Sequence, residues 1–354
     1  MRVGILSYPM LFQREGGLQI QVRETIAALQ RLEARTPPLE VDLVDAHRDR
    51  LSDYDVIHVF SAINGNHRIV EAASEQGLPV VLSPLLSPAW CRSAGWRARL
   101  AERLTGRLTN WDVHTSYAQT SRALQLSRCV IALGEAERDA IVSAFQIDPA
   151  RIRILPNGIS PHFFTADGAL FQSETGITAP FALMVGAISP YKNQLGLVKA
   201  LTDSEVPVVI IGRPQRHDVD YLQRLLQLPH VTWLGQLQHE HPLLASAYAA
   251  AAVLALPSQG EVAPLTVLEA LAAGTPVVMT TDSALHLPDA GFALKKVRWD
   301  DAAAQRRAIL GLLADRPARG AVSALVRQFT WERAAVQIAD CYARLVGEDE
   351  RHAV

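Results

Sequence analysis

Residues 257–276 spell PSQGEVAPLTVLEALAAGTP, set between two apolar runs, Val253 to Leu256 and Val277 to Met279. Each run is short and bounded by turn residues, which predicts a buried strand. Ser258 to Ala263 reads as a loop. Pro264 suits a first helical position, where a missing N–H has no intrahelical partner to lose. The helix then extends to about Ala273, with Gly274 as its stop before Thr275-Pro276. A loop at the carboxyl end of a parallel strand, followed by a helix N-terminus, is suited to a phosphate. Glu261 in the loop and Glu269 on the helix would repel that anion. Sugar hydroxyls on either side of it are the donors they suit. Spacing alone favours a solvated loop Glu261 and a helix-surface Glu269.

The stretch resembles the signature of the retaining GT-B glycosyltransferases that use nucleotide sugars: Pro-Ser-x-x-Glu and then, after seven residues, Glu-Ala-Leu-Ala-x-Gly-x-Pro-Val. The resemblance implies an α/β GT-B fold, two Rossmann-like doubly wound domains facing a cleft. It places Glu261 on the donor sugar, Glu269 on the nucleotide ribose, and Leu265 and Thr266 beside the donor. The family usually follows the first Glu with Gly-Phe-Gly, whereas this chain has Val262-Ala263-Pro264. Pro264 has no N–H to give. The Thr266 hydroxyl, in the first helical turn, is the candidate substitute.

Composition sets the frame around this motif. A chain of 354 residues is comfortable for two domains, and 49% hydrophobic with 20% charged residues describes an ordinary globular protein. A net charge of −2 argues against a dedicated nucleic-acid binder. Cys91, Cys129 and Cys341 are scattered, suggesting neither disulfides nor a zinc site, and a reducing cytoplasm is expected. No signal-peptide pattern follows Met1, and the apolar run Leu243 to Pro257 is too short to span a bilayer.

In the amino-terminal half, Arg2 to Ser7, Val41 to Val44, Val56 to Phe60, Pro79 to Leu82 and Cys129 to Leu133 alternate with helical patterns, which predicts a doubly wound parallel sheet. Gly16-Gly17 at the first strand-to-helix junction lets backbone approach a ligand closely, and the resemblance puts this pair on the donor phosphates. Asp53-Tyr-Asp55 precedes a strand, away from the ligand edge, and is read as a solvated turn; no metal is expected. Asn64, Asn66 and His67 follow that strand and are candidates for the acceptor, although a turn with satisfied Asn side chains fits as well. Ser83 to Pro88 lacks the His that many relatives carry there, leaving His67 and His114 as stand-ins.

Residues 90–111 carry Trp90, Trp96 and Trp111 among five arginines and one acid, Glu102. Trp96, Leu100, Leu104 and Leu108 recur every four residues. Such a helix suits an anionic membrane surface or acceptor, and equally a helix packed on the sheet with solvated arginines.

Pro156-Asn-Gly-Ile159 resembles the family's interdomain segment, and Thr165 to Thr178 reads as a polar linker. These set the expected domains at 1–164 (acceptor) and 165–329 (nucleotide-sugar donor), with a terminal helix, 330–354, crossing back. Lys192-Asn193 match the family's cationic segment, with Ala187 where an Arg is usual; Arg213 is the candidate compensation. The expected reaction is hexosyl transfer from a nucleoside diphosphate sugar to a saccharide or lipid-linked acceptor. It would proceed with retention, without cofactor or metal, in the cytoplasm or peripherally on the membrane's inner face. Lys192 would stabilise the departing diphosphate and Glu261 would place the sugar. An epimerase or phosphorylase on the same fold, or a non-catalytic partner subunit, stays open.

Overall fold

In the computed structural model, which describes residues 1–13, 16–32, 38–108 and 115–352, the chain divides into two compact units. One comprises Met1–Gly158 with Trp331–Val354, the other Ile159–Thr330.

The first unit contains, in order, β1 (Arg2–Leu6), α1 (Gly17–Gln30), β2 (Glu40–Leu43), β3 (Val56–Phe60), α2 (His67–Glu75), β4 (Val80–Ser83), α3 (Arg92–Leu108), α4 (Ser116–Leu126), β5 (Cys129–Ala132), α5 (Glu135–Phe145) and β6 (Ile152–Ile154). The second continues with α6 (Ala169–Thr175), β7 (Ala182–Val185), α7 (Gln194–Leu201), β8 (Val208–Ile211), α8 (Val219–Leu226), β9 (Val231–Trp233), α9 (Pro242–Ala250), β10 (Val253–Leu256), α10 (Leu265–Ala272), β11 (Val277–Thr280), β12 (Leu294–Val297), α11 (Ala302–Ala314) and α12 (Arg319–Ala324). The last helix, α13 (Trp331–His352), belongs to the first unit.

Every strand pair is parallel. The inner strands are near-continuous apolar runs because helices cover both faces of each sheet, while the edge strands β2, β6, β9 and β12 are only partly buried. In the second unit Leu183, Val185, Leu254, Leu256, Val277 and Met279 pack toward α9, α10 and α12. Their chain neighbours Ala182, Met184, Val253, Ala255 and Val278 pack toward α7, α8 and α11.

Strand order, rather than burial, positions the site. The first sheet runs β2-β1-β3-β4-β5-β6, so the chain leaves β1 in one direction for β2 and in the other for β3. The second runs β12-β11-β10-β7-β8-β9, so the reversal lies between β7 and β10. Ligands of doubly wound sheets bind beyond the carboxyl ends of the strands at such a reversal. In the first unit the loops there carry Gly16, Asn64 and Asn66; in the second they carry Lys192 and Glu261.

α13 is pinned to the first sheet by a buried polar contact. His58 on β3 lies 2.6 Å from the Tyr342 hydroxyl through Nδ1 and 2.9 Å from Ser83 Oγ through Nε2. Burial pushes the imidazole down to about 3, so it is neutral near neutral pH.

Four sequence expectations change in detail. The division falls after Gly158 rather than Phe164, because Ile159 and Phe163 are buried in the second unit's core. Thr165 to Thr178 holds α6, whose single large apolar anchor, Phe171, is buried and whose amide there donates to Ser246 Oγ at 2.8 Å. Pro264 is extended (ψ 122°) and caps α10 from one residue outside it, its carbonyl accepting the Val267 and Leu268 amides at 3.2 and 3.4 Å. On α3, Trp96, Leu100 and Leu104 face solvent instead of the sheet. The helix docks through its small residues, since a Cβ at Gly95 would sit 2.4 Å from the Ala144 carbonyl oxygen.

Candidate active site

Lys192 ends the loop after β7 and Glu261 lies in the loop after β10, the two loops that flank the second sheet's reversal point. Lys192 Nζ and Glu261 Oε1 are 2.5 Å apart, with the side chains 23% and 12% exposed. The surrounding backbone fixes this approach. The Gln259 amide donates to the Tyr191 carbonyl at 2.9 Å, and the Tyr191 hydroxyl donates to the Gly260 carbonyl at 2.7 Å. On the other side the Glu261 amide donates to the Asp282 carbonyl at 2.8 Å, and the Ala284 amide to that of Val262 at 2.9 Å. Burial, then the Glu261 charge, raises the Tyr191 hydroxyl above its ordinary value, so it stays a donor.

Asn193 takes a left-handed conformation (φ 60°) at the start of α7, and its side-chain amide donates to the Trp299 carbonyl at 2.9 Å. It thereby fixes the turn that delivers Lys192. Ala187 is exposed in the same loop. Arg213 is exposed in the loop after β8, its carbonyl accepting the Ile188 amide at 3.0 Å. The two loops touch at their glycines: a Cβ on Gly212 (φ 147°) would lie 1.9 Å from the Gly186 carbonyl oxygen.

Glu269 is not a surface charge. It is buried on α10, with Oε2 accepting from the Tyr248 hydroxyl at 2.8 Å and Oε1 3.0 Å from His239 Nε2. Tyr248 is itself buried, and desolvation, then the Glu269 charge, pushes its hydroxyl well above the ordinary value. The proton therefore stays on Tyr248, and Glu269 is oriented on both oxygens. His162 lies next to His239, ring centroids 5.9 Å apart; burial first, and His239 second, lower its pKa. At the N-terminus of α10, the amides of Leu265, which is buried, and Thr266, half-buried, precede the first helical hydrogen bonds. Amides in that position are donors to an anion.

In the first unit, Gly16 precedes α1 in an extended conformation and Gly17 opens it; a Cβ on either would meet nothing within 4 Å. Among the described residues, no atom outside their chain neighbours and the backbone of α1 itself comes within that distance of either position. Asn64 is exposed with φ 61°. Asn66 is buried, and its amide donates to the carbonyls of Phe60 and Ser61 at 2.8 and 2.9 Å, which makes it a clamp on the turn. His67 opens α2 and lines a cavity of about 430 Å³ with Arg68, Glu71, Arg99, Arg103 and Arg122. His114 and Trp111 lie outside the described residues. Asp53 and Asp55 stand ahead of β3, and Asp55 accepts the Arg2 amide at 2.7 Å. They are therefore at the amino edge of the sheet.

Three residues unremarked in the sequence shape these loops. Tyr248 and His239 hold Glu269, and no spacing rule ties them to it. Glu137 is fully buried and accepts the Leu86 and Leu133 amides, each at 2.7 Å, joining the loops after β4 and β5. Desolvation pushes its carboxyl up to about 7, against the pull of those amides. Its position in Gly134-Glu-Ala-Glu137, an acid-rich helix start, was its only visible signal.

Comparison with known proteins agrees with this architecture. Residues 170–317 match the profile of Glycosyl transferases group 1, and residues 7–163 that of Glycosyltransferase Family 4. A D-inositol 3-phosphate glycosyltransferase of Xylanimonas cellulosilytica is 31% identical over 324 residues, 85% of this chain and 74% of that protein. One from Mycobacteroides abscessus is 32% identical over 230 residues, 60% of this chain and 51% of that protein. The chain spans about half the length of several such curated relatives. Among solved structures, Anabaena HepE, crystallised with UDP, superposes with a TM-score of 0.68 at 18% identity, covering 97% of this chain and 100% of that one. The sucrose-phosphate synthase of Thermosynechococcus elongatus gives 0.73 at 19% identity, covering 98% and 99%. The fold is GT-B, and the chain belongs to the glycosyl transferases group 1 family.

Proposed function

We propose that the second unit binds a nucleoside diphosphate sugar at the β7/β10 reversal point, and that the protein transfers the hexosyl group to an acceptor hydroxyl with retention of anomeric configuration. One observation carries this reading: a cation and a carboxylate meet at the sheet's reversal point, and a second, pre-oriented carboxylate stands on the helix that follows. Lys192 and the amides of Leu265 and Thr266 suit the diphosphate. Glu269 suits the ribose, since a carboxylate keeps acceptor capacity beyond its two fixed contacts. Glu261 suits hydroxyls of the transferred sugar. When the diphosphate arrives it competes with Glu261 for Lys192, and the lysine then stabilises negative charge developing on the leaving group. Asn193 fixes the turn that aims Lys192, and Arg213 supplies the second cation. Retention follows from the family resemblance, and this reading assigns no step to a metal or cofactor.

The acceptor in this proposal is a saccharide or lipid-linked saccharide, with Asn64, His67 and His114 as its candidate residues, Asn66 holding the turn that presents Asn64, and Gly16-Gly17 open to donor backbone contact. The curated relatives' names favour a second class, a phosphorylated cyclitol such as inositol 3-phosphate. HepE is also crystallised with UDP-glucose, so the UDP sugars head the test. A thermal-shift panel of UDP-, GDP- and ADP-sugars should show one base raising the melting temperature, by ~2.7 kcal/mol of stabilisation at a hundredfold excess over Kd. Release of that diphosphate should then depend on acceptor and persist in EDTA. No shift with any donor, or release indifferent to acceptor, contradicts the proposal.

A further inference from the structure

We propose that the outer face of α3 is a docking surface for an anionic lipid bilayer. The inference rests on the first unit alone and does not depend on the donor-site reading. α3 is anchored by one side only. Gly95 lies against Ala144, Arg99 donates to the Tyr117 hydroxyl at 3.1 Å and to the Ala144 carbonyl at 3.0 Å, and Glu102 accepts the Thr115 amide at 2.9 Å. Glycine is unfavourable in a helix interior, and here it permits close approach to Ala144.

The opposite side is apolar and open. Trp96, Leu100 and Leu104, one turn apart, are 61%, 45% and 55% exposed. An isolated exposed Leu needs no explanation, but a contiguous stripe headed by Trp on an ordered helix does. Arg92, Arg97, Arg103 and Arg107 are exposed around it, and the helix's one acid, Glu102, is engaged inward. The chain as a whole carries −2, so positive charge is concentrated here against the general balance. Apolar stripe, aromatic anchor and flanking arginines together are what a helix lying in an anionic interface requires. A soluble acidic protein would satisfy the arginines but not the area of open apolar surface that a bilayer takes up continuously.

Arg103 also lines the 430 Å³ cavity with Arg68, Arg99 and Arg122. Glu71, which pairs with Arg68 and Arg122, and Glu102 line the same cavity, so the positive charge offered to a headgroup is that of the stripe's own arginines. Among the described residues no helix is long and apolar enough to cross a membrane, so attachment through α3 would be peripheral.

The test is sedimentation of the full chain with vesicles of equimolar phosphatidylglycerol and phosphatidylcholine, against phosphatidylcholine alone, at low salt. The protein should sediment with the anionic vesicles and stay behind with the neutral ones. Arg97→Glu with Arg103→Glu should weaken partitioning by about 30-fold or more, each basic residue near the surface contributing a factor of about 5. Arg307→Glu with Arg327→Glu changes net charge equally on exposed residues elsewhere and should leave binding intact. Trp96→Ser with Leu104→Ser should also weaken binding at unchanged charge, with the circular dichroism spectrum and melting temperature retained. Absence of binding to anionic vesicles, equal binding to neutral ones, or binding indifferent to both α3 variants overturns the proposal.

Discussion

Replacing Lys192 with Ala removes the cation paired with Glu261, and two quantities should change together. At 2.5 Å, with an effective dielectric constant of about 20, the pair's attraction is on the order of 6 kcal/mol before desolvation is charged against it. Desolvation and partial exposure offset most of that, and about 2 kcal/mol should be lost when Glu261, only 12% exposed, is left without a partner. Removing a preorganised charge at a leaving group should separately depress turnover by roughly 100-fold or more. The double variant Lys192→Ala with Glu261→Gln distinguishes the two effects. With no unpaired carboxylate left, it should regain most of the lost stability in urea denaturation. Initial rates of nucleoside diphosphate release should nevertheless stay low. Near-normal turnover in Lys192→Ala would refute the catalytic role. A double variant no more stable than Lys192→Ala would refute the energetic coupling.

Further outcomes follow from the buried groups. His58 is held at about 3 against an ordinary 6.5, so the unfolded chain takes up its proton first. The stability linked to it is complete above pH 6.5 and lost as pH falls toward 3, which urea midpoints between pH 7 and 4 should show and His58→Gln should remove. Glu137 has the opposite sign: its carboxyl is raised from 4.5 to about 7, so the folded chain holds the extra proton. Its contribution is greatest below pH 4.5 and declines as pH rises to about 7, and Glu137→Gln should flatten that decline in the same measurement. Gly212→Ala should cost about 3 kcal/mol, since the new methyl meets the Gly186 carbonyl at 1.9 Å and φ is 147°; a stability change under 1 kcal/mol by calorimetry would show that the two loops separate freely.

The fold was legible in residues 257–276 because strand, loop and helix each left a local mark: an apolar run, a Gly-bearing loop, and Gly274 (φ 79°) as a stop. That Lys192 meets Glu261 was not local. They are distant in sequence, and only the strand order that sets β10 beside β7 brings them together. The burial of Glu269 was hidden for a similar reason: Tyr248 and His239, which cover it, belong to another helix and the loop before it. α3 misled in the other direction. Its four-residue apolar period is real, but periodicity finds a stripe without telling which side is covered, and the small residues Gly95 and Ala98 supply the docking side. α6 escaped notice because a single buried phenylalanine makes too weak a period to see.

Hydrogen–deuterium exchange with and without a nucleotide sugar goes most directly to where the diphosphate sits. Binding at the β7/β10 reversal predicts slowed amide exchange in residues 186–193 and 258–269, with Glu269→Gln reducing that protection at a given donor concentration. Donor binding that protects other segments and leaves both of these unchanged would contradict the account.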